Sequence, residues 1–115
     1  MSNATIEAIE RNIKLAKEVA ALGNSLERLR TNRDFKTVIL DGYFEQEAIR
    51  LVHLKADPNM HSAESQLAIV SQMNSIGGLV QYFNTTMHRA SLASKNILAD
   101  QEAIEEIAAE EVANG

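Results

Sequence analysis

Cysteine and tryptophan are absent from this chain of 115 residues, which has one proline, five glycines and 4% aromatic residues. Without cysteine there is no disulfide framework, no thiolate-ligated zinc or iron–sulfur site and no thiol nucleophile. One proline and few β-branched or aromatic runs leave a sandwich of short strands without its turns and packing residues. Long apolar runs are missing too. Stretches such as Val38-Ile39-Leu40 fall far short of the roughly 20 residues that span a bilayer, so no membrane partner is expected. The first ten residues contain Glu7 and Glu10 and lack the basic-then-apolar order of a signal peptide, so a soluble product made for its compartment of synthesis is expected. The net charge of -5 argues against a protein that coats nucleic acid.

What remains is 45% hydrophobic and 23% charged, enough chain for one domain. The pattern predicts an all-α fold: two long amphipathic helices forming a helical hairpin or coiled coil, joined by two short helices. The first long helix runs from about residue 3 to 30, with Ile6, Ile9, Ile13, Ala16, Val19, Leu22, Leu26 and Leu29 on one stripe. Its steps are threes and fours, with a three-residue slip where Ala16 is followed by Val19, which would overwind a coiled coil locally. Glu7 with Arg11 and Glu10 with Lys14 are spaced as i,i+4 pairs on the other face.

Residues 31–60 read as a short-helix corner. Asn32 or Asp34 caps a helix through Leu40, and Gly42 stands where a helix end often turns left-handed. A second helix from Tyr43 to Ala56 presents Phe44, Ala48, Leu51, Val52 and Lys55 on one face with Ile49 beside it, and Asp57-Pro58 stops it. From residue 62 to 99 a long heptad helix follows, with Ile69, Met73, Ile76, Val80, Phe83, Met87, Ala90, Ser94 and Ile97 at alternating steps of four and three. The register continues through Gln101, Ile104 and Ala108. If unbroken from Ser62 to Glu110, this helix reaches roughly 70 Å, longer than any globule the chain could form, so its far half should lean on another copy or another protein. Residues 100–115 are an acidic terminal helix or tail, which Asp100 could cap and fold back. Gly77-Gly78 weakens the helix and is read as close packing against the short helices, or as a hinge.

Charge divides unevenly. Residues 1–55 carry nine Lys or Arg and eight Asp or Glu, whereas residues 56–115 carry two and eight. Six acids and no base lie within 100–115, a solvated end by the ordinary reading. Arg28, Arg30, Arg33 and Lys36 cluster where the first helix ends, where cations complement its macrodipole. Read functionally they are the best site candidate, an anion site for phosphate, nucleotide or nucleic acid, but no glycine-rich loop accompanies them and Phe35 is the one aromatic nearby.

Asp41, Glu45 and Glu47 surround a helix start, and a carboxylate there needs no ligand to explain it. Their spacing does not match a calcium loop. His53, His61 and His88 are never three or four apart, as helix-borne zinc ligands would be, and no nucleophile motif is present. No cofactor, metal or catalytic residue is expected. Ile69, Met73, Ile76, Val80, Phe83, Met87 and Ile97 are the candidate interface residues, while Tyr43 and Phe44 pin the corner to the long helices.

The block from Leu26 to Pro58, above all Asn32-Arg33-Asp34-Phe35-Lys36 and Gly42 to Leu51 (G-Y-F-x-x-E-A-x-R-L), followed by Ile76-Gly77-Gly78-Leu79 and Gln81-Tyr82-Phe83, resembles a group of small proteins encoded by tailed bacteriophages. The likeness covers about sixty residues and leaves out the flanking helices. It implies a phage product made in the host cytoplasm, a minor virion or head-assembly protein, and supplies a setting without a reaction. The expected function is therefore non-enzymatic: a structural or assembly protein acting as a homo-oligomer or with other phage subunits. The alternative is a phage-encoded host-interaction or anti-defence factor that uses the basic corner to bind a host protein, nucleotide or nucleic acid.

Overall fold

The computed structural model describes residues 2–115 and contains no strand among them. Helix α1 is Ser2–Arg30, α2 is the short turn Arg33–Phe35, a π-helical segment spans Lys36–Gln46, α3 is Glu47–Ala56, a 3₁₀ turn covers Pro58–Met60, and α4 is Ala63–Asn114. The architecture is the all-α hairpin expected from periodicity: long first and last helices joined by shorter ones. The chain forms two compact units, one from the residues up to Ser25 with Thr86–Gly115, the other Leu26–Thr85.

In the first unit α1 and α4 meet along a seam of small side chains. A Cβ built on Gly23 would collide with the Cβ of Ala90, so the backbones approach as closely there as glycine allows. Antiparallel stepping outward from that contact sets Ala20 level with Ala93, Ala16 with Ile97, Ile13 with Asp100, Ile9 with Ile104 and Ile6 with Ile107. Each of these is buried or half-buried. The seam of α1 therefore keeps strict steps of three and four, and the expected slip at Val19 is absent. Val19 and Leu22 are 38% and 50% exposed, and Ala20 and Gly23 take their places because only small residues permit this approach.

The slip occurs in α4 instead. Its buried line runs Ile69, Met73, Ile76, Val80, Phe83 and then Thr86, two successive steps of three, before resuming as Ala90, Ala93, Ile97, Asp100, Ile104 and Ile107. Ser94, Gln101 and Ala108 are consequently exposed. Asp100 caps nothing: α4 continues through it to Asn114, so residues 100–115 extend the long helix instead of folding back.

The second unit is built around Leu51, Ile69 and Ile76, which are 0%, 2% and 6% exposed. Tyr43, Phe44, Ala48, Leu54, Met60, Met73 and Val80 pack around them. Phe83 stacks at tilted angles on Phe35 and Phe44, with ring centroids 5.9 and 5.5 Å apart. Tyr43 and Phe44 thus anchor the corner as expected, but Val52 is exposed and Leu54 takes the inner position.

The two short helices are in fact one helical run. Asn32 caps its start, its Oδ1 accepting from the Phe35 backbone N–H at 2.9 Å. Gly42 then lies inside the π-helical segment with no left-handed backbone, and the Glu47 N–H bonds to its carbonyl, five residues back. A Cβ on Gly42 would sit 3.1 Å from the Thr37 carbonyl oxygen, so glycine relieves crowding in the widened turn. Asp57 ends the run as expected, accepting from the Asn59 N–H at 2.9 Å. Ser62 caps α4 through the Ser65 N–H at 3.1 Å, and the Gln66 Nε2 donates to the Lys55 and Met60 carbonyls at 3.0 and 2.8 Å. This amide ties the first turn of α4 to the end of α3.

Gly77 and Gly78 are exposed, and a Cβ at either would meet nothing within 4 Å. Close packing does not account for them, and α4 runs through both without a break. Gly77→Ala and Gly78→Ala should each stabilise the protein by up to about 1 kcal/mol in urea unfolding. Gly23→Ala should lower stability by roughly 1–3 kcal/mol through overpacking.

Candidate interaction surfaces

The residues singled out from sequence separate into two groups. Ile69, Met73, Ile76 and Val80 belong to the chain's own core, and Phe83 to the aromatic cluster beside it. Met87 and Ile97 are half-buried on α4. These candidates for partner contact are therefore covered, wholly or in part, by the chain itself, and the free apolar surface lies elsewhere. Arg28, Arg30, Arg33 and Lys36 are all exposed where α1 gives way to α2. Arg30 reaches Glu27 at 3.9 Å, one turn back on the same helix. Among the described residues Glu27–Arg30 and Glu47–Arg50 form ion pairs, whereas Glu7–Arg11 and Glu10–Lys14 do not.

Asp41 and Glu47 are half-buried and Glu45 is exposed. No group of three His, Asp or Glu side chains among the described residues could hold a metal ion. His53, His61 and His88 stand apart on the surface. No helix among the described residues is long and apolar enough to cross a membrane.

The widened π-helical turn opens a cleft of about 520 Å³ lined by Val38, Ile39, Gly42, Tyr43, Gln46, Glu47 and Arg50. At its rim Arg50 grips Glu47 with both ends of its guanidinium: Nε donates to Oε1, and Nη2 to Oε2 at 3.1 Å. That hydrogen-bonded pairing, with the attraction of the opposite charges, holds the Glu47 carboxyl below its usual range and raises Arg50. Val38 is 64% exposed at the cleft edge. This is a shallow, largely apolar depression whose charged group is already satisfied within the chain.

Exposed apolar side chains also recur on the second unit, at Ile49, Val52, Leu67 and Tyr82, but a line of them at regular helical spacing is on the first unit. Leu15, Val19 and Leu22 recur on α1 at steps of four and three and are 61%, 38% and 50% exposed; Leu92 on α4 is 46% exposed. They form a second apolar line beside the Ala- and Gly-rich seam. Sequence held the signal. The α1 pattern contains two interleaved lines, Ile6-Ile9-Ile13-Ala16-Ala20-Gly23 and Leu15-Val19-Leu22-Leu26-Leu29, which a single stripe merges by stepping from Ala16 to Val19.

Compared with known proteins, the chain matches no family, no curated protein and no solved structure.

Arg50→Ala should return the Glu47 carboxyl upward to its ordinary titration range, read by NMR titration. Because the folded value is depressed, the pair stabilises the fold above the usual carboxylate pKa. That contribution fades as pH falls through the lowered one.

Proposed function

We propose that this protein is a non-enzymatic assembly element that binds other subunits through exposed helix faces. The observation that carries the reading is the inversion on α1: Ala16, Ala20 and Gly23 occupy the covered seam while Leu15, Val19 and Leu22 face solvent. Leucine spaced at four and three on a free helix face is the pattern that buries against another helix. A two-helix layer leaves such a face uncovered until further helices pack on it.

The setting comes from the central block, whose likeness to small tailed-phage proteins supports a role in head or virion assembly, with synthesis in the host cytoplasm. Association is the working chemistry of such a subunit, and the acidic end of α4, with five exposed carboxylates from Glu102 to Glu111 and no base, keeps that end hydrated.

Light scattering coupled to size exclusion should show a mass above that of one 12.7 kDa chain, and mass spectrometry of purified particles or assembly intermediates should contain the protein. A monomer at high concentration together with absence from both preparations would sink the reading.

A further inference from the structure

We infer that the exposed flank of the first unit is the interface for a second copy of this chain, packed as a four-helix bundle whose two-fold axis runs parallel to the helices. This rests on the assembly reading and names its partner and geometry.

The argument begins with the seam register. Leu15 and Leu22 each stand two residues after a seam position, Ile13 and Ala20, and Leu92 stands two after Ala90. An antiparallel helix pair has an approximate two-fold axis normal to its layer, so equal heptad positions fall on the same flank of both helices. Leu15, Val19 and Leu22 therefore share one face of the hairpin with Leu92, and Ala99 and Ala103 continue it along α4. Asn12 on α1, and Arg89, Asn96 and Glu106 on α4, are its polar members. Along the outer edge of this face lie Arg11 and Glu18 on α1 and Lys95 and Glu102 on α4, all exposed. None of the four is in either ion pair recorded among the described residues.

The charges select the symmetry. With the two-fold axis parallel to the helices, every residue keeps its level, so α1 packs beside the partner's α4 in the same antiparallel register that α1 and α4 already have within one chain. Arg11 then stands level with the partner's Glu102, and Glu18 with the partner's Lys95. Val19 and Leu22 close around the partner's Leu92, and Leu15 meets the partner's Ala99. Each contact occurs twice by symmetry. The competing arrangement has its axis across the helices, centred on the leucines, with α1 against the partner's α1. It sets Glu18 beside the partner's Glu18 and Lys95 beside the partner's Lys95, juxtapositions of like charge that disfavour it. An apolar strip with opposite charges at matched levels along its rim is what a self-associating helix face requires.

The test uses the full chain, which has no native cysteine to confuse cross-linking. Sedimentation should show a dimer, and Val19→Glu should abolish it with helicity by circular dichroism retained. Glu18→Lys should weaken dimerisation about tenfold, two symmetric rim contacts being lost, and adding Lys95→Glu to the same chain should restore it. Mixing Val19→Cys with Leu92→Cys protein and oxidising should give the mixed disulfide dimer, whereas Val19→Cys alone should stay unlinked. Self-linking of Val19→Cys without the mixed product overturns this geometry and leaves the assembly reading standing. A dimer indifferent to Val19→Glu and Glu18→Lys does the same. A chain that stays monomeric at hundreds of micromolar and is missing from assembly intermediates overturns both.

Discussion

The contact between Gly23 and Ala90 is the constraint on which the first unit depends. Two helical backbones can approach this closely only where side chains are absent or single methyl groups, and the seam supplies Ala16, Ala20, Gly23, Ala90 and Ala93 around that point. Larger side chains return toward the far end, where Ile6 and Ile9 stand level with Ile107 and Ile104. Thr86 and Asp100 are the polar members of the line, Asp100 level with Ile13. A carboxylate in an apolar seam costs stability and favours the register that leaves it partly wet. The consequence reaches the surface. Once the covered positions belong to alanine and glycine, the leucines of α1 must face outward, and the proposed association rests on that displacement.

The second unit obeys a different rule. Its centre is Leu51, wholly covered, with Ile69 and Ile76 from α4 against it and an aromatic group around Phe83 beside it. Burying a leucine of this kind contributes on the order of 2 kcal/mol. The π-helical segment between Lys36 and Gln46 carries the chain into this core with a widened turn, and the cleft beside Gly42 and Tyr43 is the outward face of the same widening. Gln66 closes the corner by satisfying two carbonyls that the ends of the short elements leave free.

Much of this was legible in the residues. Periodicity located both long helices, Asn32 and Asp57 marked caps that form, and Tyr43 with Phe44 identified the anchors of the corner. What misled was size and spacing taken together. Val19 and Leu22 are more hydrophobic than Ala20 and Gly23, so a search for the most apolar stripe prefers them, although close packing prefers the smaller pair. Gly42 looked like a helix end because glycine so often serves there, whereas in the structure it relieves a carbonyl inside a continuous helical run. Gly77 and Gly78 looked like a packing contact and are open to solvent. Asp100 looked like a cap and is a seam residue, a distinction that depends on which side of α4 is covered.

The sequence by itself determined the helical class, the two long helices, the stop at Asp57-Pro58 and the absence of thiol chemistry, because these depend on local propensity, spacing and composition. Tertiary structure alone decided which apolar line of α1 is covered, where the three-residue slip falls, and that the candidate interface residues from Ile69 to Val80 are spent on the chain's own core. The physical reason is that periodicity reports every face able to be buried, whereas burial is settled by what packs opposite. Opposite Ala90 there is room for a glycine and no room for a leucine.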